Sequence, residues 1–195
     1  LSMSKRIMNE IFDIANEMRF PIFYTDTDSM HIYDEHITPL SDEFKRIHNK
    51  ELIGKQLGQF HSDFDADGHS GNITSAGFLA LGKKSYIDIL QCDGKLISQQ
   101  HLRMKGITKE GLEHTQRKYD NTWDTKDITK MGAMPLYLDL AKGNEVKILL
   151  NPLLDGKQKV LFDISKGQIK TKDEFYRTAK FYFYYIQSKT RNLIL

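Results

Sequence analysis

Between residues 20 and 33 two short runs of apolar and aromatic residues, 20–25 and 29–33, flank a polar tip, Asp26-Thr27-Asp28. Strand-like runs around a polar turn predict a β-hairpin, and this one carries two carboxylates separated by a single residue. Like charges held that close repel, a cost tolerated where a cation sits between or beside them. Hard carboxylate oxygens suit Mg²⁺, which keeps part of its water and takes one or two carboxylates together with substrate phosphates. A bare Asp-x-Asp turn says little, because aspartate favours turns through its own hydrogen bonds. Here an aromatic strand leads into the acids and an apolar strand leaves them.

The pattern around the hairpin changes period. Met3, Ile7, Met8, Ile11, Ile14, Ala15 and Met18 recur at helical spacing and predict an amphipathic helix over 3–18. A short helix is expected within 40–57, and strands over 54–64, 74–81 and 84–90. Asp93-Gly94 then reads as a turn into a strand over 95–101. Beyond Gly106 the pattern predicts helices over 109–119 and 128–140, with a hinge over 121–126, then β-like runs at 146–150, 159–164 and 176–186. The expected class is α+β: an antiparallel sheet with a packed helix over 1–107, then a mixed α/β module over 108–195.

Composition sets bounds on this reading. The 195 residues are 39% hydrophobic and 28% charged, the balance of a globular domain with a core. One cysteine, Cys92, leaves no internal disulfide and no multi-cysteine zinc site, which fits a reducing, intracellular compartment. No apolar run reaches the ~20 residues needed to span a bilayer, and charges interrupt every candidate signal-peptide core near the start. The net charge of +2 is unevenly spread: residues 164–195 carry +5 and the remainder −3. A basic end beside an acidic body suits a protein that holds a polyanion at one place and cations at another.

Tyr24-Thr25-Asp26-Thr27-Asp28-Ser29 resembles motif C of the family B DNA polymerases, Y-x-D-T-D-S. Three further segments follow in the family's order. Leu57-Gly58-Gln59-Phe60 resembles its L-G-x-aromatic segment, and Phe78-Leu79-Ala80 with Lys83-Lys84-Ser85-Tyr86 its F-L-x…K-x-Y element. Met104-Lys105-Gly106-Ile107 resembles the K-G-hydrophobic step of the protein-primed phage and linear-plasmid branch. The match covers 1–107 and implies the carboxyl-terminal part of a polymerase palm, with 108–195 as a DNA-gripping thumb.

Carried over by position, the resemblance makes Asp28 the stricter catalytic and metal ligand and Asp26 its neighbour, with Tyr24, Thr27 and Ser29 in support. Lys84 and Tyr86 match the pair that steadies the primer end, Lys105 a backbone contact, and Lys83 an undecided neighbour. The implied cofactor is a pair of Mg²⁺ ions in the complete site. The implied partners are primer–template DNA, deoxynucleoside triphosphates, a terminal-protein primer, and an upstream polymerase portion, with no membrane. That upstream portion is implied because the chain has no match to the family's motifs A and B, which carry its other aspartate and most of its triphosphate-binding residues. A non-catalytic DNA-binding or assembly subunit derived from a polymerase is the alternative, and an unrelated Mg²⁺-dependent phosphohydrolase using Asp26 and Asp28 a further one.

Other features read as structural. Asp63-Phe64-Asp65-Ala66-Asp67-Gly68 imitates the start of an EF-hand loop, but the twelfth position is Thr74 where a bidentate glutamate is required. It reads as an acidic surface loop. The seven histidines show no zinc spacing, and Cys92 has no motif around it. The aromatic run 181–185 beside Arg177 and Lys180 cannot face one side of a strand throughout, so most of it is expected in a core with the cations outward.

Overall fold

The computed structural model describes residues 2–150, 153–154, 157–158, 161–163, 168–170, 176–179, 185–187 and 190–194. In chain order the elements are α1 (Ser2–Glu17), β1 (Ile22–Asp26), β2 (Ser29–Tyr33), α2 (Asp34–His48), β3 (His61–Ser62), β4 (Ile73–Gly82), β5 (Ser85–Cys92) and β6 (Lys95–Met104). There follow α3 (Lys109–Gln116), a 3₁₀ turn (Ile128–Lys130), α4 (Met134–Ala141), β7 (Val146–Leu149), β8 (Leu153–Leu154), β9 (Lys157–Gln158), β10 (Leu161–Asp163), β11 (Gln168–Lys170), β12 (Tyr176–Ala179), β13 (Tyr185–Gln187) and β14 (Thr190–Ile194). Helices mixed with antiparallel strand pairs make this an α+β chain. It divides into two compact units: Leu1–Phe78 with Leu90–Gln99 and Ile186–Leu195 form the first, Leu79–Ile89 with Gln100–Tyr185 the second.

In the first unit the stripe predicted on α1 is its buried face. Ile7, Met8, Ile11, Ile14 and Ala15 join Met30, Ile32, Leu40, Phe44, Leu52, Phe60 and Leu193 in one core. The helix closes where Arg19 turns left-handed (φ 57) and the Phe20 N–H donates back to the Ala15 carbonyl at 2.8 Å, which turns the chain into β1. β2 pairs antiparallel with β1 on one side and with β14 on the other, Met30 facing Leu193. That central position is why four of its five residues are buried.

Three expectations for local structure need correction. The helix expected inside 40–57 is present over 40–48, but α2 starts earlier, at Asp34 directly after β2, and ends at His48 with Asn49 left-handed (φ 52). Pro39 removes one of its hydrogen bonds; the buried Leu40 and Phe44, acids in the first turn and bases in the last outweigh that loss. The strand expected over 54–64 shrinks to His61–Ser62. Gly58 adopts φ 88, Leu57 stands 93% exposed, and the segment folds as a loop closed by the Gly54 N–H on the Phe60 carbonyl (2.9 Å) and the Phe60 N–H on the Leu52 carbonyl (2.8 Å). The helix expected over 128–140 is split into the 3₁₀ turn and α4 because Gly132 takes φ 50 between them.

The Asp93-Gly94 turn forms as expected between β5 and β6, both residues at positive φ (48 and 77), the signature of a type I′ hairpin. In the second unit, Leu102, Met104, Leu112, Met134, Leu136, Tyr137, Leu140, Ile148 and Leu149 are buried. Thr108 caps α3, its hydroxyl oxygen accepting from the Gly111 N–H at 3.1 Å, and β12 pairs antiparallel with β7. Residues 181–184 of the aromatic run, with Lys180, lie outside the described residues.

Candidate functional site

Asp26 closes β1 and Ser29 opens β2, and the two face each other across the loop residues Thr27 and Asp28. A two-residue hairpin loop of this kind demands positive φ, normally supplied by glycine or asparagine. Here it falls on Thr27, at φ 54. A β-branched side chain in that conformation is a genuine outlier, a strain of order 1–3 kcal/mol that persists only where surrounding structure imposes it.

Three hydrogen bonds at the tip and an aromatic stack behind it impose that conformation. The Asp28 N–H donates to the Asp26 carbonyl oxygen at 2.6 Å, and the Ser29 hydroxyl donates to the same oxygen at 3.2 Å. The Thr27 hydroxyl lies 3.4 Å from Asp26 Oδ1 as a donor. Behind the tip, Tyr24 meets the edge of His31 (centroids 5.6 Å, 83°), and His31 stacks on Phe78 (4.3 Å, 24°). His31, Phe78 and Ser29 are buried, whereas Asp26 and Asp28 are half-buried. Their carboxylates therefore reach solvent from an immobilised base. The hairpin was legible in the sequence; the His31–Phe78 stack was not, since it joins β2 to a strand more than forty residues on.

Two carboxylates at one turn offer hard oxygen ligands of the kind Mg²⁺ prefers, with room for the waters and phosphates it retains. Among the described residues no group of three or more His, Cys, Asp or Glu side chains gathers to hold a metal. Asp26 and Asp28 could together fill one part of a Mg²⁺ site, the rest of its shell being water and phosphate oxygen. The acidic segment 63–68 does not wrap around a centre: Phe64 and Ala66 are buried with Ile73, Leu90 and Ile97, leaving Asp65 and Asp67 outward.

The basic candidates belong to the second unit. Lys83 and Lys84 form the two-residue turn between β4 and β5, both exposed, Lys84 at φ 57. Lys105 is exposed just past the end of β6. Its N–H donates to the Ser85 hydroxyl oxygen at 3.3 Å, which ties the two turns together. Tyr86 is only 6% exposed, its ring 5.8 Å from that of His101. Lys83, Lys84 and Lys105, rather than the tyrosine ring, form the solvent-facing part of this group. Two residues before Lys105, the Arg103 carbonyl accepts from the Tyr137 hydroxyl at 2.7 Å. Burial, with Tyr86 as the next contributor, pushes Tyr137 well above the ordinary tyrosine range. The two aspartates and the lysine group lie in different units.

No family model matches this chain, and neither a curated protein nor a solved structure matches it.

Proposed function

We propose that this chain is the carboxyl-terminal palm and thumb of a family B DNA polymerase of the protein-primed branch, adding deoxynucleotides to a primer 3′-end. The observation that carries the reading is the Asp26-Thr27-Asp28 turn: two half-exposed carboxylates held on a hairpin by a strained residue and an aromatic stack. Asp28 and Asp26 would hold Mg²⁺, which when bound activates the primer 3′-hydroxyl and neutralises the leaving pyrophosphate. Thr27 and Ser29 keep the two acids in one orientation. Lys84 and Lys105 meet the DNA backbone through charge alone, as an enzyme that must accept any duplex requires, and buried Tyr86 fixes the strand that carries Lys84. With no motif A or B match, the chain alone is expected not to extend primers and to work with an upstream portion that supplies those residues. A polymerase-derived DNA-binding or assembly subunit is the second reading.

Titration of a labelled primer–template duplex at several salt concentrations, read by fluorescence anisotropy, tests the reading. Each neutralised phosphate contributes about −0.9 to the slope of log K against log salt. Lys84→Ala and Lys105→Ala are expected to reduce its magnitude by roughly one unit each, with similar affinity losses on unrelated sequences. A chain that binds no duplex even at low salt, or lysine variants with the parental slope, would overturn it.

A further inference from the structure

The Lys105–Gly106 turn is held from a distant part of the chain. Arg177, on β12, donates Nη1–H to the Gly106 carbonyl oxygen at 2.7 Å across 71 residues of sequence. Gly106 stands at φ 74, a conformation that glycine adopts without strain, and a methyl group built there would displace the Arg177 guanidinium. The strands that bring Arg177 to this place are themselves anchored. β12 pairs with β7, Arg177 opposite Ile148. Just past β7 the Leu150 carbonyl accepts from the Thr108 hydroxyl at 3.3 Å, and Gly111 of α3 lies so close to the Leu149 carbonyl that no side chain fits between.

The side chain is exposed, and one bond to a carbonyl uses one of the five N–H donors of a guanidinium. Among the described residues Arg177, Lys83 and Lys105 make no ion pair with a carboxylate. Lys105 and Arg177 are brought to this place by hydrogen bonds, the Lys105 N–H to Ser85 on one side and the Arg177 side chain to Gly106 on the other.

We propose that Arg177 is a nucleic-acid phosphate contact that acts with Lys83, Lys84 and Lys105, bracing the Lys105–Gly106 turn with one N–H and presenting its remaining donors to a backbone phosphate. This rests on the nucleic-acid reading above and adds to it a residue far outside the segments that resemble the polymerase family. A guanidinium suits both tasks, because its fixed planar fork can serve a carbonyl on one edge and a phosphate on another.

The test uses the full chain and a labelled random-sequence 20-base-pair duplex, titrated across salt for parent, Lys84→Ala, Arg177→Gln, Arg177→Lys and, as a charge-matched control, Lys142→Gln. Thermal melts of each variant are followed by circular dichroism. Arg177→Gln is expected to reduce the magnitude of the salt slope by about one unit, while Arg177→Lys keeps the parental slope and binds several-fold more weakly. Lys142→Gln leaves the slope unchanged. If Lys84→Ala reduces the slope but Arg177→Gln does not, the role of Arg177 is overturned and the nucleic-acid reading stands. Equal slope losses in Arg177→Gln and Arg177→Lys would assign the effect to turn position rather than phosphate charge and overturn it too, as would a matching loss in Lys142→Gln. If Arg177→Gln does not fold, Arg177→Lys still decides: parental slope with several-fold weaker binding is expected, and parental slope with parental affinity overturns the contact. A parent chain that binds no duplex removes both readings together.

Discussion

The Asp28 N–H donates to the Asp26 carbonyl oxygen at 2.6 Å, so the two carboxylates of the hairpin leave a single turn closed across Thr27. The tightness of that turn forces Thr27 to φ 54. A glycine would meet the same geometry without strain, yet it would free the neighbouring backbone. The threonine is thus a poor choice for stability and a good one for holding two repelling acids in one arrangement.

Replacing it separates these effects. Thr27→Gly is expected to stabilise the fold by about 1 kcal/mol, the strain relieved less the entropy glycine loses, which is a rise of roughly 2–4 °C in Tm for a chain of this size. The same variant should bind divalent cations more weakly. Calorimetric melts and Mn²⁺-enhanced water proton relaxation measure the two sides. A Thr27→Gly protein that melts lower than the parent would show that the turn is not strained.

The acids are expected to differ. Asp28→Asn should weaken Mn²⁺ binding by about tenfold, roughly 1.4 kcal/mol, and Asp26→Asn by less, since the Asp26 carboxylate already lies beside the Thr27 hydroxyl. Neither change should alter the salt slope of duplex binding, because a carboxylate neutralises no phosphate and releases no counterion from the duplex. On the polymerase reading, Asp28→Asn should abolish nucleotide addition in an enzyme that also carries motifs A and B. Parental Mn²⁺ affinity in both variants would dissociate this turn from metal binding.

What was readable in the sequence follows from range. The α1 stripe, the acidic hairpin and the Asp93-Gly94 turn depend on residues a few positions apart, and each appears where expected. α2 was obscured because Pro39 looks like a stop, while the burial of Leu40 and Phe44 that overrides it is tertiary. The 54–64 segment has strand-like residues, but Gly54 and Gly58 let the chain fold back on Phe60. The acid pair was visible because its members are adjacent. The Ser85–Lys105 and Gly106–Arg177 bonds were not, since they span 20 and 71 residues and no spacing rule points to them.

Alkaline pH is expected to destabilise the fold through Tyr137. Tyr137 is buried, its hydroxyl donates to the Arg103 carbonyl, and its proton is held well above the ordinary tyrosine range, chiefly by burial. In the unfolded chain a tyrosine releases its proton near pH ~10. Because the folded value is raised, the neutral hydroxyl's contribution is fully present below about pH 10 and is lost as pH climbs toward the folded value. Over that window the folded state binds more protons than the unfolded one, so stability falls by about 1.4 kcal/mol per pH unit for this group. Tyr119 shifts in the same direction, through burial first and its hydrogen bond to Asp139 second, and adds to the fall. Tyr137→Phe should cost about 1 kcal/mol at pH 7, where the part-buried Arg103 carbonyl loses its donor, and should flatten the decline above pH ~10. Urea unfolding from pH 8 to 11, parent against variant, gives the difference directly, since lysine titrations common to both cancel. Identical declines in the two proteins would mean that Tyr137 ionises as freely in the folded chain as in the unfolded one.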